Sequence, residues 1–150
     1  MNKLDWISPR VTAEFICRWI LGLLFTMAGW WKVFELGAIE HARRFFVEAF
    51  AEHWIPEWVL WMLGVCVPYL ELAAGLLILA GFQLRWALTA VGILLIVTTY
   101  GHALQQPLFD IDGHTFTRLA LIVFVLMAGA EDDRTTFDYW WNRRQSLPRT

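Results

Sequence analysis

Two ionisable residues within apolar stretches, Arg18 and Glu71, are the first candidates for chemistry in this chain. Arg18 stands in "FICRWILGLL" and Glu71 in "PYLELAAGLL". A charged side chain near the middle of a lipid bilayer costs at least about 2.5 to 3.5 kcal/mol on insertion scales, so it normally has a partner or loses its charge. The pattern therefore predicts either an ion pair that fixes how the helices pack or a carboxylate that takes up and releases protons.

The expected depth of these residues indicates which of them pair. At about 1.5 Å of rise per residue, Arg18 lies roughly 9 Å and Glu71 roughly 14 Å from the same end of their spans. A long arginine side chain covers that difference, so we predict that Arg18 pairs with Glu71. Arg85, at the start of the third apolar run, is a rival partner, and Glu14 lies one turn before Arg18.

A second set of polar residues collects at the opposite ends of the spans. Lys32 closes the first apolar run, Tyr100 and His102 close the third, and Arg118 opens the fourth. A quinone head group needs hydrogen-bond donors for its carbonyl oxygens, a group that exchanges a proton and an apolar route for its tail. These four residues are therefore a candidate quinone site. The alternative is anchoring at the membrane surface, with salt bridges from Arg118 to the aspartates of "FDIDGH".

Other kinds of site have less support in the sequence. No close His-x-x-His or Cys-x-x-Cys spacing indicates a metal or haem centre. The two cysteines, Cys17 and Cys66, fall in apolar runs at different depths, so we expect small buried side chains rather than a disulfide. A net charge of −2 offers no basic surface of the kind that nucleic acid requires.

The composition indicates that a lipid bilayer surrounds these residues. Of the 150 residues, 58% are hydrophobic and 17% are charged, which is too apolar for an ordinary soluble domain. The ten tryptophans agree with several membrane crossings, because indole rings favour the headgroup layer. A helix needs about 20 residues to cross a hydrocarbon core about 30 Å thick. Four apolar runs fall within the range of about 17 to 25 residues that crossings take: 12–35, 57–81, 84–104 and 115–131. We therefore predict an all-α fold, a transmembrane four-helix bundle that forms a single domain over residues 1–150.

The segment between the first two spans, residues 38–55, has a different pattern. Apolar residues such as Ile39 and Phe46 recur at helical spacing, while charged residues such as Glu40 and Arg43 occupy much of the opposite face. This pattern predicts an amphipathic helix that lies in the membrane surface. We expect residues 132–150 to form a polar cytoplasmic tail that rests at the interface.

Small residues share a helix face with the ionisable residues of the first two spans. Gly22 and Gly29 follow Arg18 at helical spacing, and Gly64 and Gly75 flank Glu71. Because a glycine lets a neighbouring backbone approach closely, we expect the first and second spans to pack tightly together.

The distribution of lysine and arginine predicts the orientation in the membrane. These residues are more numerous beside the span ends that include both termini, and cytoplasmic ends normally carry that excess. The richer side has Lys3, Arg10, Arg85, Arg134, Arg143, Arg144 and Arg149, and the other has Lys32, Arg43 and Arg44. We therefore expect a protein of the plasma membrane with both termini in the cytoplasm.

Several stretches together resemble one known family. An arginine followed by "GLLFTMAGWWK", then a surface helix, then "PYLELAAGLLILAGFQLR" and two further spans are similar to the DoxX family, over roughly residues 12–131. Arg18, Glu71 and Arg85 stand at positions of that family's pattern. The resemblance implies a four-helix protein of the plasma membrane and a link to redox metabolism, since a relative is a subunit of a thiosulfate:quinone oxidoreductase. It supplies no catalytic motif, so it leaves open whether the chain is an enzyme.

Two functions from different classes remain open at this point. One is a quinone-associated or accessory subunit of a membrane redox system, with quinone as the possible cofactor. The other is a non-catalytic structural subunit that packs against a larger membrane complex through Trp30, Trp31, Trp140 and Trp141. A transporter is a third interpretation, although no pair of broken helices indicates one.

Overall fold

The computed structural model describes residues 8–106, 115–129 and 133–145, which form helices and turns and contain no strand. The helices are α1 (Pro9–Trp30), α2 (Ala38–Ala42), α3 (Glu57–Ala80), α4 (Leu84–Gln105), α5 (Thr117–Ala128) and α6 (Phe137–Gln145). Two π-helical segments, Trp31–Glu35 and Arg43–Glu48, continue α1 and α2. The predicted all-α class is confirmed for this part of the chain.

Within the described residues, three helical stretches are long and apolar enough to cross a membrane. They are Pro9–Glu35, Glu57–Ala80 and Leu84–Gln105. Their bounds differ by at most three residues from the first three predicted spans. Helix α5 has 12 residues, fewer than the roughly 20 that a crossing takes. A fourth crossing, and with it the transmembrane four-helix bundle, therefore stays a prediction.

Local signals explain where the long helices begin and end. Ser8 caps α1 by accepting the Val11 N–H at 3.3 Å, and Pro9 follows it in the first turn, where a missing N–H costs nothing. Helix α3 ends at Gly81, whose φ of 62° suits glycine. A Cβ at Gly81 would also lie 2.7 Å from Thr136, so the chain after α5 packs directly on this turn.

The closest packing in the fold joins α1 to α3. A Cβ at Gly29 would lie 2.4 Å from the backbone nitrogen of Leu72, and one at Gly22 would lie 2.7 Å from the Leu79 side chain. Seven residues forward along α1 thus correspond to seven residues back along α3, so the helices run antiparallel. The expected tight packing of the first two spans on small residues is confirmed.

Helices α4 and α5 complete the core beside this pair. Helix α5 packs against α1, and α4 packs against both α3 and α5. The shared interior includes Leu21, Phe25, Ile78, Leu88, Val91, Ile122 and Val125. Large apolar side chains also point outward along the same helices, including Ile20, Met27, Ile96 and Met127. A surface of this kind suits contact with lipid.

The segment after α1 is shorter and more buried than the sequence predicts. Helical structure runs from residue 38 to residue 48, and turns follow it up to residue 55 instead of the predicted continuous helix. Ala42 packs so closely on α3 that a Cβ at Gly64 would lie 2.5 Å from its Cα. The segment thus packs tightly on α3. Its position relative to a membrane surface stays a prediction.

Residues 133–138 are also packed on the helices more closely than a tail at the interface would be. Asp133 and Thr136 are buried, and α6 follows them. The carboxylate of Asp138 accepts the backbone N–H groups of Gln83 and Leu84, each at 2.9 Å, and so caps α4 from another helix.

Candidate functional site

Arg18 stands at the centre of the first buried polar cluster, and its guanidinium closes the end of α3. Its Nη1 donates to the carbonyl oxygens of Ile78 at 3.2 Å and Leu79 at 2.9 Å. The turn at Gly81 already returns N–H groups to the carbonyls of residues 77 and 78. The Leu79 carbonyl has no such turn partner, so Arg18 supplies its donor.

The other nitrogen atoms of Arg18 contact two carboxylates. Nη2 donates to Asp133 Oδ2 at 3.0 Å and to Thr135 Oγ1 at 2.7 Å. Nε lies 3.2 Å from Glu14 Oε1, one turn earlier on α1. Burial alone would raise the pKa of Asp133, but hydrogen bonds from Thr135 and the charge of Arg18 lower it. The cluster joins α1 to the end of α3 and to the residues just before α6 through charge-assisted hydrogen bonds.

The predicted pairing of Arg18 with Glu71 is wrong. In the α1–α3 packing, Gly29 lies opposite Leu72, so Glu71 is level with Trp30 and about 18 Å from Arg18 along the helix axis. The depth estimate failed because it assumed that the two helices end at the same level. Arg85, the rival partner, is exposed and belongs to neither buried cluster.

Lys32 and Glu71 form the second buried polar contact. Lys32 Nζ lies 2.6 Å from Glu71 Oε2, and the side chains are 22% and 7% exposed. Lys32 stands in the π-helical segment, where the Leu36 N–H bonds to the Trp31 carbonyl five residues back. Segments of this kind occur frequently at functional sites.

His41 lies beside this pair and satisfies an unusual backbone group. Its Nδ1 is 2.8 Å from the carbonyl oxygen of Gly64. That carbonyl would normally accept the N–H of residue 68, but Pro68 has none. Because a carbonyl only accepts, His41 donates from Nδ1, which leaves Nε2 as an acceptor in the neutral ring.

The charges of Lys32 and Glu71 both act on His41. Burial lowers the pKa of His41 and the Lys32 charge lowers it further, against the opposing effects of the Gly64 hydrogen bond and the Glu71 charge. His41, Lys32 and Glu71 therefore form one group, which we call the outer cluster. It combines a cationic donor, a buried carboxylate and a neutral imidazole, which together can bind a polar group and exchange a proton.

The sequence places His41 on the surface helix at the same end of the molecule as Lys32, but its contact with α3 was not predicted. A signal was present in the sequence. A proline inside a membrane helix leaves the carbonyl four residues earlier without its donor, and that residue here is Gly64. A buried donor near Gly64 was therefore to be expected.

The four residues of the predicted quinone site lie in different surroundings. Lys32 contacts Glu71, and Arg118 lies over the ring of Phe25 with its Cζ 5.7 Å from the centroid. Tyr100 and His102 are both exposed near the end of α4. The alternative salt bridges from Arg118 involve residues 107–114, which lie outside the described residues. A quinone role for these four side chains stays a prediction.

The remaining candidates are at or near the surface. Trp30, Trp31, Trp140 and Trp141 are each about half exposed. The cysteines are free, as expected, but Cys66 is exposed rather than buried. Across residues 8–106, 115–129 and 133–145, no group of three or more histidine, cysteine and acidic side chains is placed to hold a metal ion.

Comparison with known proteins identifies the family of this chain. No curated protein and no solved structure matches it. The family model described as "Methylamine utilisation protein MauE" matches residues 10–106, which run from α1 through α4 and include the whole outer cluster. The DoxX resemblance indicated the right class, a small integral membrane protein, but membership of DoxX itself is not shown. Because the match covers more than half of its residues, the chain belongs to the MauE family.

Proposed function

We propose that this protein is an accessory membrane subunit of a redox system that serves methylamine utilisation. The family match over residues 10–106 carries this proposal, since it covers nearly all of the three stretches that, in the described part of the chain, are long and apolar enough to cross a membrane. Oxidative release of ammonia from methylamine, with water as the other reactant, yields formaldehyde, two electrons and two protons. Such a system must pass on protons as well as electrons, and a membrane subunit with buried protonatable groups suits the transfer of the protons.

A quinone is the electron acceptor that the outer cluster would suit. Reduction of a quinone to a quinol takes two electrons and two protons, so its site needs donors for the carbonyl oxygens and a route for protons. Lys32 could donate to the head group, while Glu71 and His41 could exchange protons. Tyr100, His102 and Arg118 remain candidates for further contacts, and the exposed apolar helix faces would accommodate the tail.

Growth of a host that uses methylamine tests the accessory role. A strain without this protein should fail on methylamine as its only nitrogen source, grow normally on ammonium and recover when the protein is restored. Normal growth of that strain on methylamine would contradict the proposed role.

Purification in a mild detergent tests the quinone association. Quinone extracted from the wild-type protein should fall several-fold in Glu71→Gln and in Lys32→Met. Glu57→Gln is the matched control, because Glu57 is an exposed glutamate in the first turn of the same helix. Equal quinone in the wild type and all three variants would reject quinone binding at the outer cluster.

A purely structural subunit is the alternative. The half-exposed tryptophans favour it, because such side chains are often the anchors of protein contacts. In that case changes to Trp30, Trp31, Trp140 or Trp141 would release partner proteins, while the outer-cluster variants would retain both partners and growth.

The orientation is part of the proposal. Both termini are placed in the cytoplasm and residues 38–48 on the outer side of the plasma membrane. In a variant without Cys17 and Cys66, single cysteines at Glu40 and Arg144 should react with an impermeant thiol reagent from opposite sides. Labelling of the Arg144 position from outside intact cells would reverse the orientation.

A further inference from the structure

A groove of about 1060 Å³ opens between the start of α4, the end of α5 and the side of α6. Leu88, Val125 and Leu126 supply apolar lining from the two longer helices, and Arg85 and Arg143 supply positive charge. The groove is much larger than a free phosphate requires and lies just above the usual range for small-molecule sites, about 300 to 1000 Å³. Its form suits a ligand with both a charged and an apolar part.

Arginines outnumber acidic residues in the described lining of the groove. This part of the lining has two arginines, Arg85 and Arg143, and one aspartate, Asp138. Each carboxylate oxygen of Asp138 already accepts a backbone N–H at the start of α4, so this negative charge is directed at the positive end of that helix. Arg85 is exposed, and it forms no ion pair with any residue in the described part of the chain.

Other arginines at this end of the molecule have structural tasks. Arg10 donates to the carbonyl oxygen of Ala128 at the end of α5, and Arg18 binds the end of α3 and Asp133. Arg85 caps no helix and instead faces the groove. Arg143 contacts the Tyr139 hydroxyl at 3.3 Å, and both side chains line the same groove.

The level of the groove relative to the hydrocarbon follows from its position on the helices. Arg85 stands in the first turn of α4, whereas Leu88 lies one turn further into the apolar helix. Trp86, Trp140 and Trp141 are exposed at the same end, as aromatic residues are in the headgroup layer. A phosphate bound at the arginines would therefore lie at headgroup level, and the acyl chains attached to it would lie along α4 and α5.

We propose that this groove binds an anionic glycerophospholipid. Arg85 and Arg143 bind its phosphate, and Leu126, whose side chain is exposed in the groove, contacts an acyl chain. Arginine suits this task because its planar guanidinium matches the oxygen atoms of a phosphate. The site is distinct from the outer cluster, which lies toward the other end of the α1–α3 pair.

Native mass spectrometry of the full chain tests the site, with phosphatidylglycerol and phosphatidylcholine of identical acyl chains added in equal amounts. The wild type should retain phosphatidylglycerol in preference to phosphatidylcholine. An arginine near a membrane surface contributes about fivefold to the binding of anionic lipid, so the combined Arg85→Gln and Arg143→Gln variant should lose about 25-fold of that preference. The same pair changed to lysine keeps both charges but lacks the planar guanidinium, so it should retain only part of that preference.

Arg44→Gln is the control. Arg44 is an exposed arginine in the π-helical segment Arg43–Glu48, far from the groove, so this substitution should leave the lipid preference unchanged. Circular dichroism should show that each variant keeps the helix content of the wild type. Equal retention of the two lipids by the wild type, or an unchanged preference in the glutamine variant, would overturn the proposal. A dimer without bound lipid that disappears in the glutamine variant would also overturn it, since a second copy would then occupy the groove.

Discussion

Double-mutant cycles distinguish the observed ion pairs from the pairing that the sequence indicates. Arg18 and Glu71 are about 18 Å apart along the helix axis, whereas Lys32 Nζ and Glu71 Oε2 are 2.6 Å apart. Substitutions more than about 10 Å apart without shared partners normally add to within about 0.5 kcal/mol. Residues in direct contact deviate from additivity by about 0.5 to 3 kcal/mol. The two arrangements therefore predict opposite outcomes.

The expected magnitudes follow from burial. Breaking a buried ion pair by removing one partner costs about 3 to 5 kcal/mol, because it leaves an unpaired buried charge. Arg18→Leu should reach that range, since Arg18 is fully buried and bonds to Asp133 and to two carbonyls. Lys32→Met should cost less, because the Lys32 side chain is 22% exposed and water reduces the penalty.

The assay is reversible unfolding in mixed micelles of a mild detergent and dodecyl sulfate, followed by far-ultraviolet circular dichroism. Lys32→Met combined with Glu71→Leu should destabilise the protein by at least 0.5 kcal/mol less than the sum of the single changes. Arg18→Leu combined with Glu71→Leu should be additive. The exposed pair of Arg43 and Glu40 serves as a control, with an expected coupling below about 1 kcal/mol. Additivity for Lys32 with Glu71, together with coupling for Arg18 with Glu71, would refute the observed arrangement of α1 and α3.

Three further predictions concern packing, pH and helix capping. Gly29→Ala should destabilise the protein by about 1 to 3 kcal/mol in the same unfolding assay, because the new Cβ meets the α3 backbone, whereas Gly92→Ala has open space and should be neutral or stabilising. The pKa of His41 is lowered in the folded protein, so the unfolded chain binds the proton first and the free energy of unfolding should fall as the pH drops below about 6.5; His41→Gln should remove that part of the pH dependence. Asp138→Ala should cost about 1 kcal/mol and increase amide hydrogen exchange at Gln83 and Leu84, and unchanged exchange there would contradict the capping role.

The sequence alone was sufficient for the elements whose signal is local. Apolar runs longer than a bilayer crossing placed the first three spans within a few residues. Glycines at helical spacing correctly indicated close packing between α1 and α3. A glycine without a Cβ lets a neighbouring backbone approach closely, whichever residue of that backbone lies opposite. The charge partners were not predictable in this way, because they depend on where two helices stand relative to each other.

Relative position is also the reason why the sequence does not predict the buried polar cluster around Arg18. Arg18 bonds to Asp133, which lies 115 residues away and belongs to a segment that reads as a polar tail. No periodicity links such residues. The segment after α1 was predicted as a continuous amphipathic helix because its apolar residues have helical spacing, but its second half is π-helical and turns follow residue 48. Close packing of Ala42 on Gly64 also holds this segment against α3.

The hydrogen-bonding needs of the α3 backbone distinguish the structural polar contacts, those of Arg18 and His41, from the candidate functional contact between Lys32 and Glu71. Within a bilayer every backbone carbonyl needs a donor, and α3 has two places where its own helix supplies none. Arg18 donates to the carbonyl of Leu79 near the C-terminal end, and His41 donates to the carbonyl of Gly64, which Pro68 leaves open. Structural need thus explains why these two side chains are buried.

Lys32 and Glu71 differ from those residues in this respect. Their contact satisfies no backbone group in the described part of the chain, and it places two charges where apolar side chains would pack at lower cost. A bundle that needed only stability would gain by replacing both residues. Lys32→Met combined with Glu71→Leu should therefore retain most of the stability and helix content, yet lose growth on methylamine. Full growth of that variant would assign the pair to the fixing of helix register instead.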